Sequence, residues 1–234
     1  MNIDWQPLES NPEVLNNYLQ SLKFDTSEFE FTDLWSVEEW AQEMISQPVL
    51  GLLLNFPYSA GHLAYKRLED EQVKMNGQYL DPDLFFVNQK AENSCGTLAL
   101  FHIVTNLGPD HQHLIEDSSI AIQFKKSLLN QSSQERGERM AENAQILESH
   151  VQSVEKSEAK PTTIIENHFS AFICLKGHLY ELDGTKSFPI NHGATSEQTF
   201  LADACKVMAK FMQREPENMN FSILALAKKN IDAN

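Results

Sequence analysis

The sequence predicts an α+β domain, a layered α/β arrangement around a largely antiparallel sheet. Segments typical of strands and of helices are mixed, without the regular βαβ order that produces parallel sheets. The chain has 234 residues, of which 41% are hydrophobic and 22% charged, the profile of an ordinary globular protein with a sizeable core. No internal repeat and no long low-complexity linker divides the chain. We therefore expect a single domain over residues 1–234.

The first quarter of the chain carries signals for two helices and two strands. Asn11 can cap a helix that has Pro12 at its first position and an apolar face further along. Residues 29–34 are typical of a short strand, and the capping-box spacing at 36–39 predicts a helix to about residue 46. The near-continuous apolar run at 48–56 predicts a buried strand.

The rest of the chain is predicted from composition, apolar runs and turn residues. In chain order we expect an exposed charged stretch at 69–78, a strand at 84–88, a buried helix at 97–106, helices at 118–129 and from 133 to about 149, a hairpin at 164–182, a helix at 202–212 and a strand at 221–226. Residues 151–160 are polar and are followed by a proline, which makes them the best candidate for a mobile loop.

Composition also excludes several classes of function. No apolar run is long enough to span a bilayer, and residues 1–5 lack the features of a secretory signal, so we expect no membrane association. Only three cysteines occur and none forms a CxxC pair, which indicates free thiols in a reducing compartment and no structural zinc. The 18 basic and 33 acidic residues give a formal charge of −15, which disfavours nucleic acid. That charge either attracts a basic partner or serves only solubility.

One cysteine stands in a segment suited to nucleophilic chemistry. Cys95 lies between the small residues Ser94 and Gly96, directly before the predicted helix at 97–106. The start of a helix lowers the pKa of a thiol, and the amide of Gln89, six residues earlier, can donate to an oxyanion together with the Cys95 backbone N–H. A lone cysteine before a helix is also often a small buried hydrophobe. The other cysteines, Cys174 and Cys205, are predicted to be core thiols.

A base for this thiol is predicted from the register of the hairpin. If the turn at 176–177 is a two-residue loop, Ser170 lies opposite Asp183, and His168 is on the same face as Ser170. His168 and Asp183 are then diagonal neighbours, roughly 7–8 Å apart at Cα. The alternative is a strand-edge histidine beside a simple turn at 183–184. His102 is seven residues past Cys95 and too far along its helix to touch the thiol, whereas His62, His178 and His192 are not excluded by position alone.

These segments together resemble the motifs of the ubiquitin carboxyl-terminal hydrolases. Residues 89–97 resemble the cysteine signature of that family, and residues 168–169 and 177–184 resemble its histidine and aspartate motifs. Residues 5–13 and 188–193 continue the resemblance, which covers nearly the whole chain and points to the short, single-domain members. The order of the glutamine, cysteine, histidine and aspartate also agrees.

The resemblance implies a papain-like α–β–α sandwich with a knotted backbone, and a hydrolase that removes small adducts and short peptides from the C-terminal glycine of ubiquitin. By motif, Cys95 is the nucleophile, His168 the general base and later acid, Asp183 the residue that orients His168, and Gln89 the oxyanion stabiliser. No cofactor and no metal is implied. The alternative is a ubiquitin-binding module with little turnover.

The resemblance also implies where a substrate binds. A loop at about 148–161 is expected to cross the active site, although residues 151–158 do not closely match the crossover sequence of the short members. The implied substrate-binding residues, with Leu8 and Phe221 as apolar anchors or else ordinary core, are Pro7, Leu8, Glu9, Asn11, Val151, Gln152, Met219 and Phe221. The partner is ubiquitin, which has a basic C-terminal tail, or a close ubiquitin-like protein. We expect a cytoplasmic monomer and leave the nucleus open as a second location.

Overall fold

The computed structural model describes residues 5–155 and 167–230. The helices are α1 Pro12–Ser21, α2 Glu39–Gln42, α3 Ala60–Asn76, α4 Cys95–Thr105, α5 Ile120–Ser127, α6 Ser133–Ala141, α7 Ala144–Val154 and α8 Phe200–Arg214, with a 3₁₀ turn at Pro109–Leu114. The strands are β1 Phe29–Asp33, β2 Val49–Pro57, β3 Asn167–Leu175, β4 His178–Leu182, β5 Ile190–Ala194 and β6 Ser222–Lys228. Among these residues no helix is both long and apolar enough to cross a bilayer.

The strands form one six-stranded sheet in the order β1-β6-β2-β3-β4-β5, and every neighbouring pair is antiparallel. One face of the sheet packs against a core that contains α1, α4 and α7, and the other face packs against α2 and α8. The predicted α+β class with a largely antiparallel sheet is confirmed. The result is an α–β–α sandwich in which both faces of the central strands are buried.

Helix α4 lies across the middle of the sheet and is buried on all sides. Every residue from Gly96 to Thr105 is buried, which agrees with the prediction of a buried helix at 97–106. The helix begins two residues earlier than predicted, so Cys95 is its first residue. Its packing against β3 brings the start of the helix next to the start of that strand.

Hairpin β3–β4 has the predicted register. Leu175 pairs with His178 and Ala171 with Leu182, so the two-residue loop assumed from the sequence is confirmed. Both loop residues have positive φ, 47° at Lys176 and 80° at Gly177, as a type I′ turn requires. Residues 164–166 of the predicted hairpin lie outside the described residues.

The predicted strand at 84–88 is wrong. The segment is buried but its backbone is paired with side chains instead of a neighbouring strand, which explains why an apolar run here does not extend the sheet. Asn106 accepts from the N–H of Phe85 and donates to its carbonyl, and His102 Nε2 accepts from the N–H of Val87. Arg136 donates to the carbonyl of Phe86.

Two helix predictions also need correction. The helix expected from 36 to about 46 begins only at Glu39 and ends at Gln42, because Ser36 accepts from the nearby N–H of Glu38 in a local turn instead of capping a helix. The helix expected from 133 to about 149 is two helices, α6 and α7, with Asn143 as the N-cap of the second.

The predicted mobile loop at 151–160 and the crossover segment at about 148–161 are partly wrong. Residues up to Val154 belong to α7, so Val151 and Gln152 are helical. The polar composition is compatible with a helix here because only Ile146, Leu147, His150 and Ser153 of α7 are buried, on one face. Residues 156–166 lie outside the described residues.

Helix α3 and strand β5 were not predicted from sequence. Helix α3 buries only His62 and is otherwise half-buried or exposed, so it shows no apolar period. Its residues 69–76 are the charged stretch that was expected to be exposed. Strand β5 is an edge strand that pairs only with β4, and it contains no apolar run.

Three histidines, His62, His102 and His150, are buried inside the protein. Burial lowers the pKa of each from 6.5 to about 4. His102 Nε2 lies 3.1 Å from the Val87 nitrogen, and His150 Nδ1 lies 2.8 Å from Thr97 Oγ1. These rings are therefore neutral members of the core at neutral pH.

Acidification is expected to destabilise the protein between about pH 6.5 and pH 4. Above this window these three histidines are unprotonated in both the folded and the unfolded state; within it they take up protons only in the unfolded chain. Each buried histidine then reduces the free energy of unfolding by on the order of 1–2 kcal/mol at about pH 5. Urea unfolding at about pH 7 and pH 5 measures this loss.

Two variants separate the buried histidines from other groups. His102→Gln retains an acceptor for the Val87 N–H. Its free energy of unfolding is expected to fall less between pH 7 and pH 5 than that of the unmodified protein. His113→Gln changes an exposed residue. Its free energy of unfolding is expected to fall between pH 7 and pH 5 by as much as that of the unmodified protein. An unfolding free energy that is equal at pH 7 and pH 5 contradicts the prediction.

Candidate active site

Cys95 lies at the first position of α4, where backbone N–H groups have no partner within the helix. Ser94 precedes it but does not cap the helix, because its hydroxyl donates to the Ala91 carbonyl at 2.8 Å. Asn93 has a φ of 58°, a conformation that asparagine tolerates, and its amide donates to the Trp5 carbonyl at 2.9 Å. The bend before the helix thus presents the thiol and the Cys95 backbone N–H.

His168 and Asp183 meet as the hairpin register predicts. His168 is the second residue of β3 and Asp183 directly follows β4. His168 Nε2 lies 2.7 Å from Asp183 Oδ1, and both side chains are buried. The other ring nitrogen, Nδ1, is not used by Asp183, and His168 lies close enough to the Cys95 thiol to lower its pKa. A thiol, an imidazole and a carboxylate are therefore in line.

The charges of these three groups support one another. Burial raises the pKa of the Cys95 thiol, but the hydrogen bond and positive charge of His168 outweigh it and the net pKa is lowered. Burial lowers the pKa of His168, yet the Asp183 carboxylate and Cys95 raise it above its ordinary value. Burial raises the pKa of Asp183, and the charge of His168 holds it well below its usual range. All three shifts favour the charged forms of these groups, which are a thiolate, an imidazolium and a carboxylate.

Sequence reasoning missed two residues that hold this arrangement. Thr185 donates to Asp183 Oδ1 from both its N–H and its hydroxyl, each at 2.8 Å. The ring of Tyr58 lies 4.9 Å from that of His168, tilted by 45°. Thr185 could have been predicted from sequence, because a residue two positions after an aspartate often hydrogen-bonds to its carboxylate. No local pattern placed Tyr58 at the site, because it follows a strand distant in sequence.

Gln89 lies beside the thiol, but its side chain has an internal partner. Its Nε2 donates to the Ala91 carbonyl at 3.1 Å, and its Oε1 is buried without a hydrogen bond from the described residues. Its backbone N–H donates to the Gly184 carbonyl at 2.8 Å. Position 184 requires a glycine, because a Cβ there would lie 2.1 Å from Leu98 Cδ2 and clash with it. The close approach joins the Gln89 segment to the loop after Asp183.

Cys95 and His168 line a cleft of about 590 Å³, and Asp183 is buried behind His168. The cleft is lined by Tyr58, Ser59, Ala60, Gln89, Glu92, Asn93, Cys95, Asn167, His168 and Thr185. The structure therefore brings the four residues assigned by motif, Gln89, Cys95, His168 and Asp183, to one site. The other two cysteines are elsewhere: Cys174 is in β3 and half-buried, and Cys205 is buried in α8.

The implied substrate-binding residues are scattered around this site. Leu8 is only 4% exposed, and its side chain packs against Gly96, where an added Cβ would lie 2.9 Å from Leu8 Cβ. Its burial agrees with the ordinary-core alternative and not with an exposed anchor. Phe221 is half-buried against the α8 core, and Met219 is 87% exposed. Pro7, Glu9 and Asn11 are half-buried at the N-terminal segment.

A buried ionic cluster lies behind Asp183. The Lys186 ammonium contacts Glu181 and Glu69, and His192 Nε2 lies 2.9 Å from Glu181 Oε2. The two carboxylates offset the charge of Lys186, and their attraction raises its pKa although burial alone would lower it. Within residues 5–155 and 167–230, no cluster of three or more histidine, cysteine or acidic residues is placed to hold a metal ion.

Comparison with known proteins places this architecture in a family. The model of the family "Ubiquitin carboxyl-terminal hydrolase, family 1" matches residues 5–213. Ubiquitin carboxyl-terminal hydrolase 3 of Arabidopsis thaliana is 33% identical over 96% of this chain and 94% of its own length. The human ubiquitin carboxyl-terminal hydrolase isozyme L1 is 36% identical over 95% of this chain and 98% of its own length.

A solved structure has the same fold. The catalytic domain of Trichinella spiralis UCH37, bound to ubiquitin vinyl methyl ester, superposes with a TM-score of 0.73. The match covers 97% of this chain and 96% of that domain at 16% identity. At that level of identity the likeness concerns the fold alone.

Proposed function

Since this chain belongs to family 1 of the ubiquitin carboxyl-terminal hydrolases and is a cysteine hydrolase, we propose that it removes small adducts and short peptides from the C-terminal glycine of ubiquitin. The observation that most directly supports this proposal is the assembled site. Cys95 is at a helix start, His168 lines the same cleft and lowers the pKa of the thiol, and His168 Nε2 is 2.7 Å from Asp183 Oδ1. A site already aligned in this way favours turnover over simple binding of ubiquitin.

The reaction is an acyl transfer in two steps. The Cys95 thiolate attacks the glycine carbonyl, and the resulting oxyanion is stabilised by the Cys95 backbone N–H and by the Gln89 amide once it leaves the Ala91 carbonyl. Protonated His168 gives its proton to the leaving amine, the C–N bond breaks and a thioester remains. His168 then takes a proton from water, which attacks the thioester and releases ubiquitin and the Cys95 thiol. Asp183 keeps the ring of His168 oriented throughout.

Hydrolysis of ubiquitin that carries a fluorescent amine at its C-terminal glycine tests the proposal. We expect multiple turnovers per protein molecule. Saturable binding of ubiquitin without release of the amine contradicts the proposal and identifies a binding module. Ubiquitin-like proteins with the same C-terminal adduct, tested in parallel, define which partner is preferred.

The acidic charge is expected to accelerate association with the substrate. With a formal charge of −15 the protein attracts the basic C-terminal tail of ubiquitin. Raising the salt concentration from about 50 mM to about 500 mM is therefore expected to lower kcat/KM several-fold, because salt screens this attraction. The rate at saturating substrate is expected to stay constant. An unchanged kcat/KM across the series contradicts electrostatic steering.

A folded leaving group is expected to be rejected. The resemblance implies that a loop at about 148–161 crosses the active site, and Asn167, the first residue of β3, lines the cleft beside His168. We therefore expect a short peptide adduct of ubiquitin to be consumed under conditions in which compact di-ubiquitin remains intact. Gel analysis of both substrates in one reaction measures the difference. Efficient cleavage of di-ubiquitin contradicts the prediction.

A further inference from the structure

The cleft at Cys95 continues into a second depression of about 470 Å³. Four residues line both spaces: Tyr58, Gln89, Glu92 and Thr185. The second depression extends between the start of α6 and the loop after Asp183, where Gln134, Gly184 and Ser187 complete its wall. A substrate that passes the thiol can therefore extend into this space.

More positively than negatively charged residues line this depression, unlike the protein as a whole. Three lysines, Lys66, Lys90 and Lys186, line it with one carboxylate, Glu92, although acidic residues outnumber basic ones by 33 to 18 in the chain. Lys186 is already paired with Glu69 and Glu181. Within the described part of the chain, neither Lys66 nor Lys90 has a carboxylate within salt-bridge distance. Two cations thus face this space without an anionic partner there.

Lys66 is held in place by uncharged groups, and Lys90 is exposed beside the start of α6. The Lys66 ammonium donates to Thr185 Oγ1 at 2.8 Å and to Tyr58 Oη at 3.1 Å. An ammonium has three donors, so one N–H of Lys66 is not used by these contacts. The stem of Lys90 passes over Gly137, where an added Cβ would lie 3.0 Å from Lys90 Cγ. The stem of Lys90 is thus packed against α6, while the residue lines the depression and remains exposed.

The end of the cleft at Asn93 and Asn167 is lined by no lysine or arginine. It is bounded by the N-terminal segment and the start of β6, which are joined by the 2.7 Å hydrogen bond between Ser10 and Ser222. Asn93 contacts Trp5 at this end, and Asn167 contacts the Asn220 carbonyl. A basic tail is repelled by Lys66 and Lys90 and therefore approaches Cys95 from the N-terminal end. The leaving group then occupies the lysine-lined depression.

We propose that this depression binds the leaving group and selects those with carboxylates next to the scissile bond, such as short acidic peptides. The inference rests on the proposed function, because it names the substrate class of the same site. Lys66 and Lys90 would pair with these carboxylates, and Glu92 would disfavour a basic leaving group in the same space. Neither lysine takes part in the bond-making steps at Cys95.

The test compares two adducts of ubiquitin that differ only in charge. Each carries an amidated dipeptide on the C-terminal glycine, Glu-Glu in one and Gln-Gln in the other. We expect kcat/KM for the Glu-Glu adduct to be greater by roughly fivefold at low salt. The ratio of the two rates is the readout, since a change in the catalytic groups affects both substrates equally and cancels.

Variants assign the preference to the lysines. In Lys90→Gln and in Lys66→Met the ratio is expected to fall toward one, whereas Lys228→Gln, an exposed lysine at the far end of β6, is expected to keep it. Equal rates for the two adducts in the unmodified protein overturn the inference while leaving the proposed function intact. A preference that survives both lysine variants also overturns it. If neither adduct is cleaved, the proposed function itself fails.

Discussion

Replacement of Cys95 by alanine is expected to lower turnover of a ubiquitin C-terminal amide by about a millionfold, to the background rate. The physical reason is that alanine cannot form the thioester, and neither His168 nor Asp183 can replace the lost nucleophile. Binding of ubiquitin is expected to persist, because the substitution removes one sulfur atom from the floor of the cleft. Single-turnover kinetics measures the chemical step, and titration of labelled ubiquitin measures binding.

The cysteine in β3 supplies a matched control. Cys174 is half-buried on β3, far along the strand from His168. Cys174→Ala is expected to retain turnover, which shows that loss of a thiol as such is harmless. Substantial hydrolysis by Cys95→Ala contradicts the assignment of the nucleophile.

Replacement of Asp183 by asparagine is expected to reduce kcat by about 10²- to 10⁴-fold. Asparagine keeps the shape but removes the charge that opposes the effect of burial on His168. The pKa of His168 then falls, and because the imidazolium is what lowers the pKa of Cys95, the pKa of the thiol rises. Two readouts follow: slower hydrolysis, and alkylation of Cys95 that requires higher pH than in the unmodified protein.

An exposed carboxylate tests whether any acidic residue would behave in the same way. Asp117 forms a surface ion pair with Lys126 at 2.9 Å, and such pairs contribute little. Asp117→Asn is expected to leave both kcat and the pH profile of alkylation unchanged. An Asp183→Asn variant with the same alkylation profile as the unmodified protein contradicts the thiolate–imidazolium pair.

The parts of the fold that followed from sequence are those specified by local rules. The register of β3–β4 came from one assumption about the turn, which the positive φ values at Lys176 and Gly177 justify. The helix after Cys95 and the N-cap at Asn11 were likewise marked by short-range signals. Because a strand repeats every two residues, a correct turn was enough to place His168 and Asp183 on one face.

The errors arose where the deciding partners are distant in sequence. Nothing within residues 84–88 indicates that Asn106, His102 and Arg136 will satisfy the backbone there. Helix α3 lies on the surface of the sandwich and buries only His62, so its sequence has no regular spacing of apolar residues that would predict a helix. For the same reason Tyr58 and Lys66 could not be assigned to the site before the strand and helix that carry them were placed.

The residues that form the site were predicted from sequence, but the contacts that their side chains make were not. The motif assigned Gln89 to the oxyanion, whereas the structure has its amide bonded to the Ala91 carbonyl. Leu8, for which an apolar anchor and ordinary core were both left open, is buried against Gly96. Both differences depend on the close packing around Cys95, which a list of matched residues does not describe.

The role of Cys95 is tested most directly by reacting the protein with ubiquitin that carries an electrophile at its C-terminus and locating the adduct by peptide mapping. We expect one ubiquitin bound covalently per chain, on Cys95, with no labelling of the Cys95→Ala variant. Labelling of Cys174 or Cys205, or tight binding of the probe without a covalent bond, contradicts it.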